Sequence, residues 1–324
     1  MTSELKTAFR TGFVAIIGRP NVGKSTLVNR LVGQKVSIVT SRPQTTRNRI
    51  LGIANRPDAQ IVLIDTPGLH ATRTALDRQM AQEVAQALEG IDSLCVMIDA
   101  SERIGHEDRA VLDRAAKFQG VAILFLNKID RIPKERLLPV MEKLSHEREW
   151  KEIIPISALT GDGVKDVLDA LVANLPEGEP FFPPDQFTDQ PERFLAGEVV
   201  REKAMAATRQ EVPYAVAAIV DGFEETPKLV RIRVSLIVEQ EGQKGILIGH
   251  GGEMMKKIGT AARLDLEGLL GTKVFLELHV KVQPGWRNNP AIVRQLDWRN
   301  QLENLSAIQG ELDGKPAHKE GLTS

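Results

Sequence analysis

Short apolar runs alternate with amphipathic stretches through the first half of the chain. Phe13-Val14-Ala15-Ile16-Ile17 is followed by a glycine-bearing turn and then by the helical-looking Leu27-Val28-Asn29-Arg30-Leu31-Val32. Further apolar runs follow at Ile61-Val62-Leu63-Ile64, Leu94-Cys95-Val96-Met97-Ile98, Val121-Ala122-Ile123-Leu124-Phe125-Leu126 and Ile153-Ile154-Pro155-Ile156. Short and uniformly apolar, they read as buried strands. Between them Leu76, Met80, Val84 and Leu88 recur at four-residue spacing. Val111, Leu112, Ala115 and Phe118 repeat the pattern, and Val167, Leu168, Leu171 and Leu175 close the series. Such spacing lays an apolar stripe along one helix face. It predicts helices over 75–88, 107–118 and 164–175. Strands alternating with helices predict an α/β domain with a mostly parallel sheet.

The pattern breaks after Leu175. Pro176, Pro180, Pro183, Pro184 and Pro191 rule out a helix, so 176–192 reads as an extended linker. Phe181, Phe182 and Phe187 are placed to pin it to a domain surface. A helix is predicted over 194–207, then β-type runs over 214–224 and 228–239. In the second run Val230, Ile232, Val234 and Leu236 alternate with Leu229, Arg231, Arg233 and Ser235, the period of a half-buried strand. Gly249-His250-Gly251-Gly252 then separates two helices, the second over 253–270, and 273–282 is a last strand. Two helices flanking a glycine loop, after a helix and two strands, match the α+β order of a type II KH domain. From 284 the chain is polar, with weak helical spacing at Ile292, Leu296 and Leu302; beyond 309 its composition predicts disorder.

Composition narrows the reading. At 324 residues two domains are expected. The net charge of −1 excludes a globally basic nucleic-acid binder, so any such site must be a local patch. Residues 192–282 hold thirteen Lys/Arg against thirteen Asp/Glu, so the second module is neutral as well. The single cysteine, Cys95, lies in an apolar run and reads as a small buried hydrophobe. With no second cysteine the chain forms no internal disulfide, in keeping with a reducing compartment. The first ten residues lack the apolar core of a signal peptide, and no run reaches transmembrane length. The six histidines show no metal-ligand spacing.

Candidate chemistry clusters at strand ends. Gly18-Arg19-Pro20-Asn21-Val22-Gly23-Lys24-Ser25-Thr26 sits between a strand and a helix, the context a P-loop requires. Its backbone N–H groups and the helix N-terminus would cradle phosphates. Lys24 would reach the β/γ-phosphates and Ser25 would ligate Mg²⁺. The hydroxyl-rich segment Thr40-Ser41-Arg42-Pro43-Gln44-Thr45-Thr46-Arg47 reads as a surface loop or as a switch loop with a Mg²⁺-binding threonine. Spacing leaves Thr45 and Thr46 open.

Asp65-Thr66-Pro67-Gly68 follows the second strand. Asp65 would hold Mg²⁺ through water, and Gly68 would offer its N–H to a γ-phosphate. Asp99 also ends a strand, but no glycine follows at sensor spacing, so it reads as structural. Asn127-Lys128-Ile129-Asp130 is the base-reading element. The Asp130 carboxylate would accept the N1–H and N2–H₂ donors of guanine, which adenine lacks. Lys128 would lie along the base, and Asn127 would tie the loop to the P-loop. In Ser157-Ala158-Leu159 a backbone N–H near Ala158 would meet guanine O6. These features together describe a P-loop domain of the translation-factor-like GTPases.

In a KH module the glycine loop clamps a single-stranded nucleic-acid backbone. The candidates here are Gly249, His250, Gly251 and Gly252 for the clamp, Ile246 and Ile248 for an apolar groove, and Lys244, Lys256, Lys257 and Arg263 for charge. Trp286 and Trp298 read as packing anchors or as base-stacking platforms.

Over residues 12–286 this motif set resembles the Era-type GTPases of bacteria. The expected division is an extension over 1–11, a GTPase domain over 12–175, the linker, a KH domain over 193–286 and a tail over 287–324. The resemblance implies binding of GTP and GDP, and Mg²⁺-dependent GTP hydrolysis. It implies binding of the 3′ end of small-subunit (16S) ribosomal RNA, and a role in rRNA processing and small-subunit maturation. It implies a monomer in the cytoplasm with partial peripheral attachment to the inner membrane. It favours Thr46 over Thr45 as the Mg²⁺ residue, with Lys24, Thr46 and Gly68 carrying catalysis. His250-Gly251 departs from a pair that often includes lysine in that family, which bears on RNA affinity. Leu69 stands where Ras-like switches place a water-orienting glutamine, so slow intrinsic turnover is expected. A signalling GTPase whose second module binds protein or membrane is the competing reading. A metabolite kinase fits less well, because it has little use for guanine selectivity.

Overall fold

The computed structural model describes residues 8–40, 42, 45–69, 73–209 and 212–299. The start of the expected N-terminal extension, Gln44 and its neighbours Ser41 and Pro43, and the tail from 300 onward, Leu302 included, lie outside the described residues.

The first domain is a six-stranded sheet ordered β2-β3-β1-β4-β5-β6. The strands are β1 (Arg10–Gly18), β2 (Ile50–Asn55), β3 (Ala59–Asp65), β4 (Ser93–Asp99), β5 (Val121–Asn127) and β6 (Glu152–Pro155). All neighbours pair in parallel except β2 with β3. Among the described residues five α-helices cover it: α1 (Lys24–Val32), α2 (Ala75–Ala87), α3 (His106–Ala116), α4 (Leu137–Ser145) and α5 (Val164–Ala173).

Because alternate strand residues face opposite sides, β1 feeds two cores. Val14 and Ile16 pack with Leu27, Val28 and Leu171 on one face. Ala15 and Ile17 pack with Val84, Leu94 and Val111 on the other. Burial on both faces is why the strand runs are continuously apolar. β1 has β3 on one side and β4 on the other, so the chain reverses its direction of winding there. That is the position where open α/β sheets bind ligands, at the carboxyl ends of the strands.

The linker closes the β2 edge. Gln60 Oε1 accepts the N–H groups of Phe181 (2.8 Å) and Phe182 (3.0 Å). Phe187 O accepts Ile53 N–H at 2.9 Å. Thr188 Oγ1 donates to Leu51 O at 2.7 Å. Phe181 also lies against Phe13, with ring centroids 5.0 Å apart. A strand edge that would otherwise expose its backbone is thereby covered.

The second domain has the sheet β7-β8-β9, with β7 (Ala217–Thr226) antiparallel and β9 (Lys273–Val282) parallel to β8 (Leu229–Val238). α6 (Glu192–Ala207), α7 (Val212–Ala215), α8 (Glu241–Ile248) and α9 (Glu253–Leu270) complete it. Val230, Ile232, Val234 and Leu236 of β8 are buried, on the face that the alternation selects. The β-type run expected from 214 begins three residues later at Ala217, because Val212–Ala215 forms a helical turn first.

The segment after β9 departs most from its polar sequence. Trp286 is fully buried and donates Nε1–H to Ala215 O at 2.8 Å, so its ring is closed to any base. A short helix, α10 (Pro290–Gln295), follows. Its Val293, with Leu296 just beyond, packs onto Ala75, Leu76 and Met80 of α2. The first part of the expected tail is thus docked on the first domain.

Candidate nucleotide site and nucleic-acid groove

The loop after β1 is shaped by its glycines. Gly23 has φ +111°, and a Cβ there would lie 2.3 Å from Asn127 Nδ2. A Cβ on Gly18 would lie 2.7 Å from Met97 O. Both positions therefore exclude larger residues. Asn21 takes a left-handed conformation, φ 59°. Arg19 anchors the loop from outside through Asp99 (3.2 Å), Glu102 (2.6 Å) and Asp108 (3.2 Å). Lys24 is buried, and its Nζ donates to Gly18 O and Arg19 O, each at 3.0 Å. Burial pulls its pKa down to about 8, against the opposing pull of Asp65. The ammonium is held inside the loop instead of trailing in solvent.

Three of the expected metal-side residues converge. Ser25 Oγ donates to Asp65 Oδ2 at 2.6 Å and lies 2.9 Å from Thr46 Oγ1. Thr46 Oγ1 is 3.4 Å from the same Oδ2. Thr45 is directed elsewhere, to Thr40 Oγ1 (2.8 Å) and Arg42 O (2.6 Å). The structure thus separates two threonines that spacing left equivalent. Ser37, unremarked in the sequence, adds a fourth hydroxyl with Oγ donating to Asp65 Oδ2 at 2.7 Å. Asp65 is fully buried, which raises its pKa, and among the described residues its Oδ1 has no hydrogen-bond partner. An orphaned carboxylate oxygen beside hydroxyl oxygens is a donor set suited to a hard divalent cation such as Mg²⁺.

The strand-end turn after Asp65 abuts the P-loop: a Cβ on Gly68 would lie 2.8 Å from Pro20. Leu69 N–H donates to Gly18 O at 3.4 Å. Thr66 faces away from the loop, its Oγ1 donating to Ile16 O at 2.7 Å. Pro67 continues the same turn, which is largely buried.

On the far side Asn127 links three loops. Its Nδ2 donates to Val22 O at 2.7 Å, and its Oδ1 accepts Ala158 N–H at 2.9 Å. The Ala158 N–H is therefore engaged within the protein, so a donor for a base oxygen must be shared with Asn127 or come from a neighbour. Asp130 is exposed and accepts Ser157 Oγ–H at 2.6 Å. Ile129, between Lys128 and Asp130, packs inward and donates its N–H to Ile156 O at 3.3 Å. Lys128 has φ 67° and pairs with Asp99 at 2.6 Å. Asp99, at the end of β4, holds both Lys128 and Arg19, a structural role. Arg30 on α1 donates to the carbonyls of Ala158 and Leu159, fixing that loop from beneath. Neither role has a local sequence signal: Arg19 and Asp99 lie 80 residues apart, and Arg30 and Ala158 lie 128 apart. A cavity of about 300 Å³ joins the halves, lined by Gly23, Lys24, Ser25, Thr26, Thr45, Asn127, Lys128, Asp130, Ala158 and Leu159 among others, while Thr46 lies behind this lining against Ser25 and Asp65.

A second opening of about 570 Å³ lies beside the glycine loop of the second domain. Ile248, Gly252, Met255, Lys256, Gly259, Thr260, Arg263 and the β9 residues Leu276, Leu278, His279 and Val280 line it. Lys244, Ile246, Gly249, His250, Gly251 and Lys257 do not. Ile246 is 46% exposed. Residues two apart on a helix face nearly opposite directions, so Ile246 and Ile248 cannot share one wall. Lys257, one position from Lys256, is turned off the groove by the same geometry. Gly249, Gly251 and Gly252 all have positive φ (72°, 57° and 83°). The conformation at Gly251 explains why a glycine, and not a lysine, suits that place.

Two family models match the chain: a 50S ribosome-binding GTPase model over residues 13–128 and a KH domain model over 211–287. GTPase Era of Syntrophus aciditrophicus is 46% identical over 292 residues, covering 90% of this chain and 95% of that protein. The chain belongs to the Era family of GTPases. Two Era crystal structures carry the likeness into three dimensions. An Aquifex aeolicus Era variant bound to GDP·AlF₄⁻ superposes with TM-score 0.86 at 42% identity, covering 90% of this chain and 99% of that one. Era in complex with MgGDPNP and nucleotides 1506–1542 of 16S ribosomal RNA superposes with TM-score 0.87, at the same identity and coverage. The P-loop GTPase fold with a mostly parallel sheet, followed by a KH domain, is that of the Era family. Among the described residues no helix is long and apolar enough to cross a membrane.

Proposed function

We propose that this chain binds GTP and hydrolyses it to GDP and phosphate with Mg²⁺, and that its KH domain grips the 3′ end of 16S ribosomal RNA during rRNA processing and small-subunit assembly. Guanine is selected by the exposed Asp130 carboxylate, which Ser157 holds in place and Asn127 supports. Phosphate charge is met by the P-loop N–H groups and by the internally held Lys24 ammonium. Ser25, Thr46 and Asp65 would hold Mg²⁺, which when bound neutralises charge on the β- and γ-phosphates. Leu69 offers no polar group to an attacking water, so basal turnover is slow. The cytoplasmic location, the peripheral contact with the inner membrane and the monomeric state come from the family resemblance alone.

The groove on the KH domain is the observation that carries the RNA assignment. Its apolar wall of Ile248, Leu276 and Leu278 accepts splayed bases, while Lys256 and Arg263 face the backbone that the glycine loop approaches. Gly252→Asp tests it. Among the described residues no atom lies within 4 Å of a Cβ there, and the left-handed backbone costs an aspartate about 1 kcal/mol, so retained GTP affinity of the variant serves as the check that it folds. The added carboxylate sits where a phosphate must approach. Affinity for a 16S 3′-end RNA, followed by fluorescence anisotropy, is expected to fall roughly tenfold or more. Unchanged affinity would remove the groove as the RNA site.

A further inference from the structure

The loop between α1 and β2, which carries Thr46, rests on a helix of the other domain. Glu202 of α6 accepts Val39 N–H at 3.1 Å through Oε1 and pairs with Lys35 through Oε2. Lys35 also pairs with Asp265 of α9 at 2.8 Å, as does Lys203 at 2.6 Å. Burial alone would lower the Lys35 pKa, yet the carboxylates of Asp265 and Glu202 hold it above its ordinary value. These contacts fix the start of the loop. Its end is held by Arg201, whose side chain is 1% exposed. One Arg201 Nη donates to Thr45 O. Glu198 orients that guanidinium from below, accepting Nε–H at 2.7 Å and Nη–H at 2.6 Å. Next along the loop, the guanidinium of Arg47 lies 5.3 Å from the centre of the buried Trp286 ring.

We propose that Arg201 and Glu202 of the KH domain are positioning residues for the nucleotide site, fixing the loop backbone on both sides so that the Thr46 hydroxyl meets Ser25 and Asp65. Arg201 acts on the carbonyl one peptide before Thr46, where a buried, forked cation restrains backbone direction most. Neither residue touches the nucleotide pocket. The nucleotide site is complete only while α6 supports the loop. The proposal rests on Thr46 as the Mg²⁺-side hydroxyl.

The test is a double-mutant cycle in the full chain. Arg201→Met keeps side-chain length but removes the fork, and Thr46→Ala removes the hydroxyl. Affinities are measured for a non-hydrolysable GTP analogue with Mg²⁺ and for GDP with EDTA. Arg201→Met is expected to weaken the Mg²⁺–GTP analogue roughly tenfold and to leave GDP with EDTA within about twofold. Thr46→Ala should do the same, and the double variant should lose no more than either single one. Arg201→Lys, which retains one donor for Thr45 O, should recover part of the loss. If Arg201→Met does not fold, the isosteric Glu202→Gln takes its place, with a smaller loss of the same selectivity. A loss with Thr46→Ala but none with the α6 variants overturns the positioning role. No loss with Thr46→Ala overturns the metal-side reading and the proposal with it. Equal losses for both nucleotides, or additive losses, show a general structural role and also overturn it.

Discussion

Asp130→Asn is expected to exchange guanine for xanthine preference. Asp130 is exposed, and among the described residues its side chain is held by the 2.6 Å contact from Ser157, which an Asn oxygen can still accept. The substitution therefore leaves the fold alone and changes only what the loop offers a base. A carboxylate presents two acceptors to the N1–H and N2–H₂ donors of guanine. An amide presents one acceptor and one donor, and the donor then opposes the guanine amino group. Xanthine carries an oxygen at that place and accepts the new donor. Leaving polar groups unpaired in a binding site discriminates by about 10⁴-fold, so the GTP-to-XTP preference should shift by roughly three to four orders of magnitude. Competition binding of GTP and XTP measures it. Retained guanine preference would show that Asp130 does not read the base.

The second large effect is on hydrolysis. Lys24→Ala is expected to slow single-turnover GTP hydrolysis about 10³-fold, the loss typical when one preorganised donor is removed from transition-state charge. The magnitude follows from how the lysine is held. Its ammonium is buried against two loop carbonyls at 3.0 Å, so it needs little rearrangement to face a phosphate. Lys24→Arg should not rescue, because a planar fork does not fit a space shaped for a compact ammonium. A variant within tenfold of the parent rate would mean that the backbone N–H groups carry the charge unaided.

Legibility varied with the range of the forces involved. The P-loop and the parallel strands of the first sheet are plain, because burial on both faces writes an uninterrupted apolar run and the loop glycines sit at contacts no Cβ can enter. β9 was read to the residue, since Lys273–Val282 alternates cleanly. β2 was not foreseen: Ile50–Asn55 is short, contains Gly52 and gains its pairing only as an antiparallel edge. α4 was hidden because Pro139 falls in its first turn, where proline is tolerated but reads as a break. That Thr46, and not Thr45, meets Ser25 and Asp65 depends on contacts that no local pattern encodes. The same holds for Ser37, Arg30 and Asp99, each of which acts through a partner distant in sequence. The docking of α10 onto α2 was invisible for a related reason. Val293 and Leu296 gain meaning only beside Leu76 and Met80, and six residues of helix carry too few turns to show a stripe.

The neutral charge balance of the KH domain now has a physical explanation. Several of its charges are spent within the protein: Glu202 and Asp265 on Lys35 and Lys203, Glu198 on Arg201, Glu239 on Arg287. The cations that line the groove, Lys256 and Arg263, sit together on α9, and Arg263 is also paired with Glu267 at 3.0 Å. A local patch therefore exists in a module whose sum is zero, and the sum is a poor guide to RNA affinity.

That this is a slow guanine-nucleotide switch answering to RNA is tested most directly by its rate of hydrolysis. Single-turnover GTP hydrolysis by the full chain with Mg²⁺ should be compared with and without a 16S 3′-end RNA. Without RNA the rate is expected to stay below about 10⁻² s⁻¹, as in switches lacking an activator, and RNA is expected to raise it roughly tenfold or more. A fast rate for the free chain, or one indifferent to the RNA, would contradict it.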